Sequence, residues 1–196
     1  MTPVDLDADG DLDLVGLFNG NHLRWFENTD GLGTFGSAQP IATLSGDVEH
    51  YILVDKDLDG DLDVVIHLED EDHLLLIEGL GNALFGAPEA LNSYGSEPEK
   101  FALADLTGDG YPEIVATLTL GAGGGISWHA NVDGTFATST DLPDLHPGSA
   151  STLLLLGDMD LVGGIDIVLK DGDGNLVGMR NEAGDTSVWT VMELLN

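Results

Sequence analysis

An all-β fold of four blade-like repeats is predicted by three observations: an acidic loop recurring at a near-fixed period, short apolar runs flanking each copy, and many turn-forming residues with no sustained helical period. The loops read Asp5-Leu-Asp-Ala-Asp-Gly-Asp-Leu-Asp13, Asp55-Lys-Asp-Leu-Asp-Gly-Asp-Leu-Asp63, Asp105-Leu-Thr-Gly-Asp-Gly-Tyr-Pro-Glu113 and, more weakly, Asp158-Met-Asp-Leu-Val-Gly-Gly-Ile-Asp166. Their starts are 50, 50 and 53 residues apart, so the array fills the chain of 196 residues as one segment, with repeats at about 1–46, 47–96, 97–149 and 150–196. The 27 Gly and 7 Pro supply the turns that so many short strands need.

Each unit is built in the same order. An apolar run precedes the acidic loop (Tyr51 to Val54, Phe101 to Ala104, Leu153 to Leu156) and another follows it (Leu14 to Phe18, Val64 to Ile66, Ile114 to Leu118, Ile167 to Leu169). After a polar or glycine-rich turn comes a third run, such as Leu23 to Glu27, Leu74 to Ile77 or Ile126 to His129, then a Gly-bearing loop ending in Phe35, Phe85 or Phe136. A fourth stretch, about 37–44, 87–94, 137–142 and 187–194, closes the unit. Four short strands per repeat of about 50 residues describe a β-propeller blade. Unit one offers only Met1 to Val4 before its loop, which predicts fifteen strands, a first blade without its leading strand, and an array cut from a longer propeller.

Composition excludes several roles. Thirty-six acidic residues against five basic ones give a formal charge of −31, and only Arg24, Lys56, Lys100, Lys170 and Arg180 could meet a phosphate, so no nucleic-acid partner is expected. Anionic membranes are disfavoured for the same reason. No apolar run approaches the roughly 20 residues that span a bilayer, so no membrane insertion is expected, and no signal peptide is legible. Without cysteine there is no disulfide framework and no thiolate metal site.

The loops carry the chemistry. Positions 1, 3, 5 and 9 bear oxygen side chains, position 6 is Gly, and position 7 can offer its carbonyl, a donor set suited to a hard cation such as Ca2+. An EF-hand is not expected, because position 12 would be Gly16, Ile66 or Ala116 and the flanks read as strands. Asp-Gly turns with solvated acids are the plain alternative, but five carboxylates within nine residues in each of the first two loops repel one another without a cation. Loop three keeps oxygen through Thr107 and Glu113, whereas loop four, with Val162 at position 5, reads as degenerate.

With these loops, the Trp25-Phe-Glu-Asn28 stretch running to Gly33-Thr-Phe-Gly36, and Phe85-Gly-Ala-Pro88, the chain resembles FG-GAP/VCBS repeats, a family of bacterial surface and secreted proteins related to the integrin alpha-subunit propeller. The resemblance implies a propeller, commonly seven-bladed, with calcium in the hairpin between the first two strands of a blade. Carried over by position, it implies Asp5, Asp7, Asp9, Asp13 and the Asp11 carbonyl as ligands in loop one. In loop two they are Asp55, Asp57, Asp59, Asp63 and the Asp61 carbonyl, and in loop three Asp105, Thr107, Asp109, Glu113 and the Tyr111 carbonyl. Two to three Ca2+ sites are expected. Val188-Trp189 in place of the fourth Phe departs from the pattern.

The expected function is a noncatalytic, calcium-stabilised module for adhesion or ligand binding, extracellular or on a cell surface, with a protein or carbohydrate ligand. By resemblance the ligand would meet the face opposite the calcium loops, at Asn19 to Asn21, Gly46 to Glu49, Glu69 to Asp72, Ser96 to Glu99, Gly121 to Gly125 and Leu145 to Ser149. The rival reading is the propeller portion of a polysaccharide lyase or glycoside hydrolase; the scarcity of basic residues and the lack of a nucleophile motif count against it. Further blades or self-association are expected to cover the exposed blade faces. Trp25 and Trp128 recur at one blade position and read as packing residues rather than a sugar platform. His22, His50, His67, His73, His129 and His146 share no metal-ligand spacing and read as surface or turn residues.

Overall fold

The computed structural model describes residues 1–118, 125–142, 153–170, 175–182, 184 and 189–195. Of the expected ligand face, residues 121–124 and 145–149 lie outside the described residues, as does His146. Sheet one comprises β1 (Thr2–Val4), β2 (Asp13–Phe18), β3 (His22–Phe26) and β4 (Gln39–Thr43); sheet two comprises β5 (Val48–Val54), β6 (Asp63–Leu68), β7 (Leu74–Ile77) and β8 (Glu89–Ala90). Sheet three contains β9 (Pro98–Ala104), β10 (Glu113–Leu118) and β11 (Ile126–His129), then the separate hairpin β12 (Asn131–Val132) and β13 (Thr135–Phe136), and closes with β14 (Thr140–Asp141). Sheet four is β15 (Leu153–Gly157), β16 (Asp166–Lys170), β17 (Leu176–Asn181) and β18 (Trp189–Leu195). Among the described residues every pairing is antiparallel and joins consecutive strands, except that β11 pairs with β14 past the separate β12–β13 hairpin, and no helix is long and apolar enough to cross a membrane.

The first sheet is not short of a strand. Thr2 pairs with Val15, Pro3 with Leu14 and Val4 with Asp13, so the fifteen-strand expectation is corrected: sheet one has four strands like the others. Three residues suffice because the loop closes at the same register in every sheet, and Pro3 is tolerated on an edge strand, where its missing N–H is not needed. That register sets Val4 opposite Asp13, Val54 opposite Asp63, Ala104 opposite Glu113 and Gly157 opposite Asp166.

The chain separates into two compact units, residues 1–70 with 74–91, and residues 71–73 with 92–196. In the first, Val15, Leu23, Trp25 and Ile41 of sheet one join Val64, Ile66 and Ile77 of sheet two in one core. In the second, Val115 and Ile126 of sheet three join Ile167, Leu169 and Met179 of sheet four, with Trp128 packed against them. Both tryptophans thus serve packing, as expected. Strands β6 and β10 are buried throughout, which is why they read as nearly unbroken apolar runs. His67 and His129 lie in these two strands' sheets and are buried, a correction to the surface reading of the histidines.

The Gly-bearing loop after the third strand is bridged at its ends, Asn28 to Phe35 in sheet one and Gly79 to Phe85 in sheet two. In sheet three the shorter Asp133-Gly134 turn, both residues at positive φ, lets the same bridge grow into the β12–β13 hairpin.

Candidate metal centres

Two left-handed residues shape each acidic loop. Position 6 is Gly at φ 96°, 92°, 97° and 82° in Gly10, Gly60, Gly110 and Gly163. Position 4 is also left-handed, in Ala8, Leu58, Gly108 and Leu161, and the non-glycine residues there carry a backbone cost that the rest of the loop offsets. Part of the compensation is hydrogen bonding from the loop's own acids. The position 1 carboxylate accepts from the Gly N–H of position 6 in the first three loops, at 3.0, 3.1 and 2.9 Å to Asp5, Asp55 and Asp105. Position 5 accepts from the N–H of position 7 at 2.9 Å in Asp9, Asp59 and Asp109.

Position 9 is a staple. Asp13 accepts from the N–H of Leu6 at 3.1 Å and of Asn28 at 2.8 Å; Asp63 from Lys56 at 3.1 Å and Gly79 at 2.8 Å; Asp166 from Met159 at 2.8 Å and Asn181 at 2.9 Å. Each therefore ties the loop's second residue to the end of the third strand. Asn28 extends the tie, donating to the Leu12 carbonyl at 3.3 Å and accepting from Gly33 at 3.0 Å. Asn181 instead donates to the Leu106 carbonyl at 2.9 Å, joining loop three to sheet four. From sequence Asn28 stands only as the end of the Trp25 to Asn28 stretch and Asn181 carries no signal, although each follows its position 9 acid by 15 residues.

Three loops bring acids together. Asp5, Asp7 and Asp13 each place a carboxylate oxygen within 4.8 Å of the other two; Asp55, Asp57 and Asp59 do the same in loop two, and Asp158, Asp160 and Asp166 in loop four. Loop four was expected to be degenerate, yet its three acids converge. Asp9 and Asp63 lie outside the trios of their loops. Loop three forms no acidic trio: Asp105 Oδ1 accepts from Gly108 at 2.7 Å and Asp109 at 3.1 Å, while the longer Glu113 reaches back to the N–H of Leu106 at 2.7 Å and the Thr107 hydroxyl at 3.2 Å. The side chains of Asp11 and Asp61 lie against Gly31 and Gly81, and neither belongs to the trio of its loop.

The electrostatics differ from loop to loop. In loop one, burial, then the charges of Asp13 and Asp9, raise Asp7 above its ordinary value, and Glu27 adds to the repulsion. In loop two, burial pushes Asp63 up to about 6. Against the desolvation of burial, hydrogen bonding and charge from Lys56 hold Asp57 below its ordinary value. Lys56 sits 2.9 Å from Asp57 and 3.0 Å from Glu78. In loop three, burial raises Glu113. In loop four, Arg180 lies 2.6 Å from Asp160 and 3.6 Å from Glu182.

The donor set fits a hard cation best where carboxylate oxygens are buried and orphaned. Asp5 Oδ1 in loop one, and Asp55 Oδ1 and Asp57 Oδ1 in loop two, are buried without a hydrogen-bond partner. A carboxylate oxygen in that state carries a desolvation cost that a cation would relieve.

Solved structures resemble this architecture. A lectin of Agrocybe aegerita, described for specific recognition of non-reducing terminal N-acetylglucosamine, superposes with a TM-score of 0.72 at 23% identity, covering 99% of this chain and 51% of the lectin chain. BBS1N, solved in complex with ARL6DN, gives 0.57 at 14% identity over 98% of this chain and 55% of its own. The NanB sialidase of Streptococcus pneumoniae gives 0.53 at 11% identity, over 99% of this chain and 31% of the sialidase. At these identities the likeness is one of fold, and the chain spans about half the length of the first two. No curated protein sequence matches it. The profile of the FG-GAP-like repeat, however, matches residues 5–66 and again 55–116, each match running from one acidic loop into the strand that follows the next acidic loop, and together covering more than half of the chain: the protein belongs to the FG-GAP-like repeat family.

Proposed function

We propose that the chain is a noncatalytic, calcium-binding propeller module that serves adhesion or ligand binding in a secreted or surface-exposed protein, its ions being structural. The observation that carries the reading is loop one, where Asp5, Asp7 and Asp13 converge within 4.8 Å and Asp5 Oδ1 is buried without a partner. Like charges at such a separation repel by about 1 kcal/mol per pair even in water, and by more when partly buried. A divalent cation reverses that sign. Asp5, Asp7 and Asp13, with the Asp11 carbonyl, would hold it in loop one, and Asp55, Asp57 and Asp59, with the Asp61 carbonyl, in loop two. The ion would supply rigidity, locking the hairpin between the first and second strands.

The four sheets would form four blades of a ring completed by further blades or a second copy. The lectin of similar fold makes carbohydrate the first ligand class to test, with protein the second. Calorimetry of the chain in EDTA and in about 1 mM calcium tests the metal, at the weak affinity of extracellular modules. A site at tenfold its dissociation constant adds about 1.4 kcal/mol, so calcium raises the melting temperature. An identical melt in both buffers refutes the calcium reading. A glycan array probed with the calcium-loaded chain tests the ligand class, and no binding on it directs the search to protein.

A further inference from the structure

The loops of this chain differ most in where their nearest positive charge comes from. One blade position decides much of this, the residue just before the one that meets the position 9 staple. Because Asn28, Gly79 and Asn181 donate to Asp13, Asp63 and Asp166, the preceding residues Glu27, Glu78 and Arg180 are equivalent. Asn131 donates to the Pro112 carbonyl as Asn28 does to that of Leu12, which puts Ala130 in the same place in sheet three. The position is thus acidic beside loops one and two, neutral beside loop three and basic beside loop four.

In loop four the basic residue stands beside the acids: Arg180 Nε lies 2.6 Å from Asp160, one member of the converged trio, as a charge contact without hydrogen-bond alignment. Loop two has its cation at position 2 instead, where loops one and three bury Leu6 and Leu106. Lys56 has a side chain only 4% exposed and bridges Asp57 at 2.9 Å and Glu78 at 3.0 Å. Asp5, Asp7 and Asp13 of loop one form no ion pair among the described residues, and the nearby Glu27 only adds negative charge.

We propose that Arg180 and Lys56 are tethered cations that grade the acidic loops: Arg180 stands in for a metal ion in loop four, Lys56 weakens calcium binding in loop two, and loop one, with neither, is the strongest calcium site. This rests on the calcium reading of loop one given above. A guanidinium held covalently next to the trio is present at high effective concentration and needs no ion from solution. The ammonium of Lys56 repels a divalent ion bound beside it, which about tenfold in affinity reflects at a separation of 5 to 6 Å in water-like dielectric. Val162 offers a competing explanation for loop four, since it removes an oxygen ligand.

Equilibrium dialysis of the whole chain against calcium separates the two. Val162→Asp restores the missing oxygen and is expected to bind the same number of ions as the parent chain while Arg180 remains. Val162→Asp with Arg180→Glu, the residue type found beside loops one and two, is expected to bind one ion more; Val162→Asp with Arg180→Lys keeps the tether and gains none. Lys56→Leu gives loop two the residue of loop one and is expected to tighten one site about tenfold with no change in number. An extra ion in Val162→Asp alone, or none in the double variant with Glu, overturns the assignment of Arg180. Unchanged affinity in Lys56→Leu overturns that of Lys56, and this arm stands even if the loop-four variants lose their β-sheet circular dichroism. A parent chain that binds calcium through Asp5, shown by loss in Asp5→Asn, leaves the calcium reading intact whichever way the tethers fall. A parent chain that binds none overturns both.

Discussion

Replacing Asp13 by alanine separates its role as staple from the ion-ligand role proposed for it. The side chain is 1% exposed and takes the N–H of Leu6 at 3.1 Å on one oxygen and that of Asn28 at 2.8 Å on the other. Both donors belong to buried residues, so their loss leaves two N–H groups with poor access to water. Hydrogen bonds to a charged partner contribute about 1.5–3 kcal/mol each, setting a gross loss of about 3–6 kcal/mol. Removing a carboxylate that repels Asp7 returns about 1 kcal/mol, and water entering the space left behind recovers part of the rest. A net destabilisation of about 2–4 kcal/mol is expected. Asp13→Asn, which keeps one acceptor and turns an amide N–H toward the other donor, should fall at least halfway. Urea unfolding followed by circular dichroism in EDTA measures the staple alone, and repeating it in calcium adds the ligand role. Should Asp13→Ala unfold within about 0.5 kcal/mol of the parent in EDTA, with a difference emerging only in calcium, the staple argument is wrong and position 9 acts through the ion.

Other substitutions probe the frame around the loops. Gly163 has φ 82°, and a methyl there would collide with the Asn181 carbonyl, so Gly163→Ala should lower stability by about 2 kcal/mol or more, read as a shift of the urea midpoint. Trp25, 5% exposed in the first unit's core, should cost about 3–5 kcal/mol on truncation to alanine, whereas loss of a sugar platform would leave the melt unchanged. His129 gives a pH dependence. Burial lowers it below the usual histidine range, its Nδ1 lies 2.6 Å from the Ala137 carbonyl, and the nearby Tyr94, raised by its own burial, stays neutral. The unfolded chain therefore takes up a proton at about pH 6.5 that the folded chain resists, so this residue's contribution to stability falls as pH drops through that value. In His129→Gln the slope of melting temperature against pH between about 7 and 5 should flatten, and an unaltered slope would show that the proton is taken up elsewhere.

The period of the loops, the alternation of apolar runs and turns, and Gly at position 6 determined the four sheets and their order from sequence alone. These are local signals: a φ near 90° at Gly10, Gly60 and Gly110 is a demand on one residue, and burial of β6 and β10 is written into their composition. The positions of the candidate ligands were legible for the same reason, since spacing within nine residues is a property of the chain. What sequence could not decide was which oxygens converge and which charges answer them. Asp158, Asp160 and Asp166 read as a degenerate loop because Val162 breaks the pattern, yet folding still brings them within 4.8 Å, through a staple to Asn181 that lies 15 residues away. Glu113 keeps an oxygen at position 9, but its extra methylene lets it reach the Thr107 hydroxyl, and the third loop forms no acidic trio. Met1 to Val4 looked too short to be a strand, but Asp13 holds the loop end where Val4 must pair. In the sequence Lys56 and Arg180 are two of five basic residues with nothing to mark them; the third strand of each sheet sets Glu78 and Arg180 beside the loops. Electrostatic energy depends on separation in space, falling within a few ångströms, and strand pairing alone turns distance along the chain into that separation.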